Sequence, residues 1–147
     1  MKVSNLMVPK PITCREDAPL GEVARLMWEH DIGFVPVVDA NGALAGVITD
    51  RDGFIAAYFQ GQPIWQIPVR SAMSTRIASV SSDAEIDEVE QMMSERQVHR
   101  LPVVDDGKLV GVISINDLAR KAAGEANEVF EEEVALTLGA ICQPRAA

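Results

Sequence analysis

The sequence predicts a mixed α/β (α+β) fold made of two β-α-β-β-α units packed sheet to sheet, followed by a C-terminal helix. The first observation is a repeat: "PVVD" stands at 36–39 and again at 102–105, and "GVI" follows it at 46–48 and 111–113. The second is that a shift of 66 residues, which drops to 65 within the second hairpin turn, aligns the two copies. Self-similarity at a fixed spacing indicates a duplicated fold.

Length and composition agree with this class and exclude others. The chain has 147 residues, of which 48% are hydrophobic and 24% charged, an ordinary globular balance. No apolar run approaches the roughly 18 residues of a membrane span, and no signal-peptide pattern is present, so we expect a soluble cytoplasmic protein. A net charge of −9 argues against a nucleic-acid partner, and two cysteines do not form a disulfide framework.

Each copy begins with a short strand and a helix. The strands are predicted at "PITC" (11–14) and "IASV" (77–80), and Asp17 and Asp83 are predicted to be the N-caps of the helices that follow. Pro19 suits a first helical turn. Apolar residues then recur at helical spacing, which predicts a stripe facing the core. The stripe consists of Leu20, Val23, Ala24 and Met27 in the first copy and of Ile86, Val89 and Met93 in the second.

Two β-branched runs joined by a glycine-bearing turn come next. "FVPVVD-ANG-ALAGVIT" and "LPVVD-DG-KLVGVIS" predict β-hairpins, and each is followed by a second helix. The predicted organisation is a first repeat at 1–60, a proline-containing linker at 61–70, a second repeat at 71–122, and an acidic amphipathic helix and tail at 123–147.

Apolar residues outside the repeat pattern are expected to pack. Positions 130, 134, 138 and 141 form a stripe opposite an acidic face, which predicts a helix that covers the core or packs in a dimer. A site for a specific partner is the alternative reading. Trp28 and Trp65 are interpreted as packing residues.

The candidate functional residues lie where each hairpin ends. Thr49-Asp50-Arg51-Asp52 and Ser114-Ile115-Asn116-Asp117 both read [ST]-x-x-D and open a helix. One interpretation, which the motif by itself favours, is a capping box. Such a box usually has Glu or Gln at the fourth position, so the shorter Asp is a modest argument against capping alone. The other is a nucleotide site, in which free N–H groups attract phosphate and the carboxylate accepts from ribose hydroxyls.

These paired units resemble the CBS domain, named after cystathionine β-synthase, in its tandem arrangement, the Bateman module. The resemblance covers about residues 1–122. The chain looks like the stand-alone bacterial type, and "TDRD" (49–52) and the C-terminal "AIC-x-P" make it similar to a small mycobacterial member. The resemblance implies a pseudo-twofold disc with two clefts between the units. It also implies a regulatory adenosine-containing ligand: AMP, ADP, ATP, NAD(H) or S-adenosylmethionine.

By this resemblance, the aspartates hold the ribose, the hydroxyl residues the ribose or phosphate, and the arginines the phosphate. His99 directly precedes the arginine of the second copy. The implied nucleotide-binding residues are Ile12, Thr13, Thr49, Arg51, Asp52, Ala78, Ser79, His99, Arg100, Ser114 and Asp117. The resemblance further implies a homodimer, with no cofactor required and with a protein target that the sequence does not name.

No catalytic motif is present, so an enzyme is not expected. His30, His99, Cys14 and Cys142 stand at no recognised ligand spacing, so no metal site is predicted. The alternative function is a structural or protein-interaction dimer with vestigial clefts, which could bind metal if assembly brought distant residues together.

Overall fold

The computed structural model describes residues 1–124 and 127–144. Within them the strands are β1 (Val8–Pro9), β2 (Cys14–Arg15), β3 (Phe34–Val38), β4 (Leu44–Thr49), β5 (Arg100–Asp105) and β6 (Lys108–Ser114). The helices are α1 (Leu20–His30), α2 (Asp50–Gln60), α3 (Ile86–Arg96), α4 (Ile115–Gly124) and α5 (Glu128–Ile141). Short 3₁₀ turns lie at Val3–Asn5, Ile64–Gln66 and Val69–Ser71. The predicted mixed α/β class, both hairpins and the C-terminal helix are confirmed. Parts of the predicted tail, residues 125–126 and 145–147, lie outside the described residues.

The strands form two three-stranded sheets, ordered β2-β3-β4 and β1-β6-β5. In the first sheet β2 pairs in parallel with β3, with Cys14 opposite Val37, and β3 pairs antiparallel with β4, with Phe34 opposite Thr49. In the second sheet β1 pairs antiparallel with β6. The initial strands are shorter than the sequence predicted, and in the second copy only Val80 makes a ladder contact, a parallel bridge to Val103.

The chain divides into two compact units, and the boundary between these units does not coincide with the boundary between the two repeats. The repeat-1 unit comprises Lys10–Ile77 and Asp106–Leu109, and the repeat-2 unit comprises Met1–Pro9, Ala78–Asp105 and Val110–Ala147. The N-terminal strand β1 therefore pairs within the unit of the second repeat. The segment just before the second repeat pairs in the same way within the repeat-1 unit, where Ser74 forms an antiparallel bridge with Val47 of β4.

One glycine in β4 and one in β6 explain how the segments that precede the two repeats pack against these strands. A Cβ built on Gly111 would lie 2.7 Å from Sδ of Met7, and one built on Gly46 would lie 2.7 Å from Sδ of Met73. Those distances are shorter than real Cβ atoms show, so a side chain at either position would force the methionine to move. The shift of 66 residues aligns Met7 with Met73, so the two copies use the same close approach.

The predicted N-caps are wrong. α1 begins at Leu20 after an extended Pro19, and α3 begins at Ile86 after Glu85, so Asp17 and Asp83 lie outside the helices. The reason is tertiary: the N–H of Leu20 donates to the carbonyl of Ile67 at 2.8 Å, which satisfies the helix terminus without a side-chain cap. Asp83 instead accepts from Lys2 Nζ at 2.8 Å.

Each unit has its own hydrophobic core. The repeat-1 core contains Val23, Val35, Val37 and Ile48, and the repeat-2 core contains the aligned Val89, Leu101, Val103 and Ile113. Helix α5 adds its buried face to the repeat-2 core: Phe130, Val134, Thr137 and Ile141. Leu138, which the sequence predicted in this stripe, is instead 44% exposed. Seven residues make almost two helical turns, so Thr137, and not Leu138, lies on the same buried face of α5 as Phe130.

Candidate functional site

The first junction is built by the end of β4 and the first turn of α2. Thr49 is the N-cap of α2, and its hydroxyl accepts from the N–H of Asp52 at 3.2 Å. Oδ2 of Asp52 accepts from the N–H of Thr49 at 2.9 Å and from its Oγ1 at 2.8 Å. The described chain offers no partner to Oδ1 of Asp52. One carboxylate oxygen is therefore committed to the cap and the other remains available as an acceptor.

The second junction repeats this arrangement in a more buried setting. Oδ2 of Asp117 accepts from the N–H of Ser114 at 2.8 Å and from its Oγ at 2.5 Å, and both residues are 8% exposed. The other oxygen differs from its counterpart, because Nη2 of Arg120 donates to Oδ1 of Asp117. The second carboxylate is thus paired on both oxygens.

The capping interpretation of both junctions is confirmed, and the shorter Asp does not argue against it. The reciprocal bonds of such a box are present between Thr49 and Asp52, and Ser114 and Asp117 make the same pattern. Each hydroxyl also donates to the carboxylate, so the shorter side chain is drawn over the N-cap. Capping uses only Oδ2, so it does not prevent a second role for the other oxygen.

Backbone hydrogen bonds bring the residues before each hairpin to the same junction. The N–H of Ile115 donates to the carbonyl of His99 at 2.9 Å, and the N–H of Asp50 donates to the carbonyl of Gly33 at 3.2 Å. His99 is exposed and Arg100 is partly exposed beside it. Arg51 is exposed on the first turn of α2, and no described side chain pairs with its guanidinium or with that of Arg100. Both cations are therefore available to an anion.

The residues that the family resemblance places around adenine lie farther from the junctions than Arg51 and Arg100 do. Ile12 and Thr13, which are partly buried, precede β2, and the parallel register places them beside the first half of β3. Thr49 lies on the opposite side of β3, so two strand spacings, about 10 Å, separate the groups. In the second repeat Ala78 and Ser79 come directly before Val80, which bridges Val103 of β5. No described contact joins these residues to Asp52 or Asp117.

A recess of about 250 Å³ adjoins the first carboxylate. Asp52 lines it together with Ser71 from the 3₁₀ turn, and Ile55, Ala56 and Phe59 supply an apolar wall. Sequence reasoning did not include Ser71 in the site. It also missed Arg120, although the spacing of three helical residues from Asp117 is a known signal for an ion pair.

The described residues contain no group of three His, Cys, Asp or Glu side chains that could hold a metal ion. Cys14 is buried on β2 as a small apolar residue, and burial raises the pKa of its thiol to about 12. No described helix is long and apolar enough to cross a bilayer.

Comparison with known proteins agrees with the duplication. The model of the CBS domain matches residues 3–54 and 69–124. The chain belongs to the CBS domain family. CBS domain-containing protein YhcV of Bacillus subtilis is 36% identical over 117 residues, which are 80% of this chain and 82% of that protein. Hypoxic response protein 1 of Mycobacterium tuberculosis is 32% identical over 136 residues, 92% of this chain and 90% of that protein.

Solved CBS proteins share the fold. Hypoxic Response Protein I, solved with two coordinated zinc ions, matches at a TM-score of 0.76 and 31% identity over 82% of this chain and 98% of its own. The CBS domain pair of MJ0100, in complex with 5′-methylthioadenosine and S-adenosyl-L-methionine, matches at 0.75 and 28% over 84% and 97%. CBSX2 in complex with AMP matches at 0.74 and 25% over 84% and 96%. The fold and the tandem family predicted from the sequence are therefore confirmed.

Proposed function

We propose that this CBS protein is a regulatory sensor that binds an adenosine-containing ligand at its strand-to-helix junctions. The observation that carries the proposal is the carboxylate of Asp52, which is fixed by the cap through Oδ2 and has Oδ1 available. A carboxylate held in this way can accept from a ribose hydroxyl without any loss of its own order. Arg51, whose guanidinium has no partner among the described side chains, directly precedes Asp52 in the helix and suits a phosphate.

The relatives support the ligand class. MJ0100 was solved with two adenosine derivatives that differ in charge, and CBSX2 was solved with AMP. An adenosine group is the part that these ligands share. The roles of the other implied residues, Ile12, Thr13, Ala78, Ser79, His99, Arg100 and Ser114, remain predictions, as does the cytoplasmic location.

The test is isothermal titration with AMP, ATP, NADH and S-adenosylmethionine on the wild type and on Asp52→Asn. Asparagine keeps a carbonyl oxygen that can accept from the N–H of Thr49, and it replaces the other acceptor by an NH₂ group. We expect affinity to fall by roughly 10- to 100-fold, because a hydrogen bond to a charged group is lost. The matched control is Asp50→Asn, which changes the neighbouring acid and leaves the cap intact.

The second repeat provides an internal comparison. Asp117→Asn is expected to reduce binding less than Asp52→Asn, because Arg120 already occupies Oδ1 of Asp117. Arg51→Gln is expected to weaken phosphorylated ligands and to leave S-adenosylmethionine unchanged. Equal affinities in the wild type and Asp52→Asn would refute the assignment.

The alternative is a protein-interaction module whose ligand sites are vestigial, and a cluster of exposed aromatic residues in the first repeat favours it. Saturable heat with any of the ligands supports the sensor, whereas no heat with all of them supports the interaction module. In either case we propose that the chain acts as a homodimer on a protein target, without catalysis. The chain also matches inosine-5′-monophosphate dehydrogenase of Mycobacterium leprae, but over only 21% of that enzyme.

A further inference from the structure

The second junction contains a cation at a position where the first junction is apolar. Nη2 of Arg120 donates to Oδ1 of Asp117, three residues earlier in α4. The residue that aligns with Arg120 in the first repeat is Ile55, which lines the recess beside Asp52. Oδ1 of Asp52 has no partner among the described residues, whereas the chain itself occupies Oδ1 of Asp117. The two junctions therefore present equivalent carboxylates in different states.

The surroundings of the first junction are open. Thr49 lines an apolar cavity of about 450 Å³ between α1 and α2, which Met27 of α1 also lines. Trp28 borders the same cavity and is 87% exposed, so the interpretation of Trp28 as a packing residue is wrong. Trp65 lies against Gly21 of α1 and still is 60% exposed. The first junction thus has open space on the side of this cavity as well as on the side of the recess.

The second carboxylate is enclosed, whereas the cation that holds it lies in solvent. Asp117 is 8% exposed, and the side chain of Arg120 is 70% exposed. The guanidinium loses little when it turns into water, since most of it is already hydrated. The buried oxygen loses more, because a desolvated acceptor without a donor keeps no hydrogen bond to replace the lost one. Arg120 therefore leaves Asp117 only where another donor takes its place.

A ribose hydroxyl is a donor of the required kind, and this step rests on the proposed function. Oδ2 of Asp117 accepts from the N–H of Ser114 at 2.8 Å and from its Oγ at 2.5 Å, so Oδ1 is the oxygen that remains for ribose. Binding at the second junction thus exchanges the hydrogen bond from Arg120 for one from the ligand. Binding at the first junction requires no exchange, because the side chain of Ile55 has no donor.

The displaced guanidinium keeps its charge and stays near the ligand. Three residues of helix rise by about 4.5 Å, so Arg120 is anchored less than one turn from the carboxylate of Asp117. A phosphate group accepts two parallel hydrogen bonds from a guanidinium. A phosphorylated ligand therefore supplies new partners to both halves of the broken ion pair, ribose to Asp117 and phosphate to Arg120. A ligand without phosphate supplies a partner to Asp117 alone.

The cation of the first junction acts differently. Arg51 aligns with Asn116 of the second repeat, and no described side chain pairs with the guanidinium of Arg51. Arg51 can add affinity for a phosphate, and it leaves Oδ1 of Asp52 available when the ligand has none. A ligand without phosphate therefore lacks one contact at the first junction. At the second junction it lacks that contact and must also break an ion pair.

We propose that Arg120 makes the second junction selective for phosphorylated adenosine ligands. Without ligand, Arg120 holds Asp117; when a ribose hydroxyl binds Asp117, the guanidinium moves to the phosphate of the same ligand. The first junction, which has Ile55 in place of this cation, also admits adenosine derivatives that carry no phosphate. The two repeats of one chain thereby distinguish two classes of adenosine ligand.

Isothermal titration of the full chain with adenosine and AMP tests the proposal in the Asp52→Asn background, which weakens the first junction. With Arg120 intact, AMP is expected to bind at least about 10-fold more tightly than adenosine. Arg120→Ile copies the arrangement at Ile55 and is expected to reduce this preference by roughly 10-fold, chiefly because adenosine binds more tightly. The matched control is Lys108→Gln, which removes a positive charge about 20 Å away at the opposite end of β6 and is expected to leave the preference unchanged.

The converse variant places the cation in the first repeat. Ile55→Arg, in the Asp117→Asn background, is expected to weaken adenosine binding by roughly 10-fold and AMP binding less, because the new guanidinium pairs with Asp52 until a phosphate draws it away. Circular dichroism of every variant verifies that the fold is intact.

The outcomes separate this inference from the sensor proposal. A wild type that binds neither adenosine nor AMP would overturn both. If the wild type binds, an unchanged preference in Arg120→Ile, or an equal loss of both ligands, would refute the role of Arg120 alone. Loss of all binding in Asp52→Asn would refute it as well, because the second junction would then hold no ligand.

Discussion

Met27 and Met93 hold the same position in the two repeats, and their surroundings differ. Met93 is fully buried in the repeat-2 core, whereas Met27 is partly exposed and borders the cavity of the first repeat. The difference comes from what covers each helix pair: α5 covers α3 and α4, and no described segment takes that place over α1 and α2. Duplication supplied two similar faces, and a C-terminal extension made one of them interior. A repeat pattern therefore predicts which residues are equivalent and leaves open which of them are covered.

The largest expected effect is on the two methionines. Met93→Ala should lower the free energy of unfolding by about 3 kcal/mol, because a sealed core cannot refill the space. Met27→Ala should cost about 1 kcal/mol, because its site already opens to solvent. Urea unfolding of the two single variants measures both losses. Equal losses would contradict the contrast between a sealed and an open face.

A buried carboxyl under α5 gives a smaller and pH-dependent effect. Glu90 of α3 aligns with Ala24, is 8% exposed, and its Oε1 has no hydrogen-bond partner among the described residues. Burial, with the charges of Glu133 on α5 and Asp87 on α3, raises the pKa of Glu90 to about 7. The folded protein therefore binds a proton more tightly than the unfolded chain does. Stability must then fall as pH rises from about 4.5 through about 7.

Glu90→Gln should abolish this fall and stabilise the protein above pH 7 by about 1 kcal/mol, a value reduced for partial solvent screening. Thermal unfolding at a series of pH values provides the measurement. Glu131→Gln, on the exposed side of α5, is the control and should keep the wild-type slope. A wild-type slope in Glu90→Gln would contradict the assignment of the pH dependence to this carboxyl.

The smallest expected effect is at Gly53. Gly53→Ala should raise the free energy of unfolding by about 0.5–1 kcal/mol, since alanine favours the helix and its methyl group meets open space. Gly46→Ala provides the opposite case, because its Cβ would clash with Met73 and with the backbone carbonyl of Ser74. Denaturant midpoints distinguish the two. A loss of stability in Gly53→Ala would show that the space beside α2 is filled in solution.

The sequence predicted the features that depend on local pattern. Both hairpins and the caps formed by Thr49–Asp52 and Ser114–Asp117 were predicted correctly, because strand alternation, turn glycines and cap spacing are short-range signals. The starts of α1 and α3 were predicted wrongly. The N–H of Leu20 donates to a carbonyl that is distant in sequence, and no neighbouring residue indicates this hydrogen bond. The exposure of Trp28 was also missed, because the burial of an apolar residue depends on which segment covers it.

The position of β1 bears on how the chain folds. The hairpin of β3 and β4 joins neighbours in sequence and can close as soon as both strands exist. The sheet of the second repeat instead pairs Val8 with Val112, so its closure spans most of the polypeptide. Contacts of such long sequence separation slow folding. During synthesis, β1 must therefore wait for β6, and a cut within residues 1–9 would damage the repeat that lies farther away in sequence.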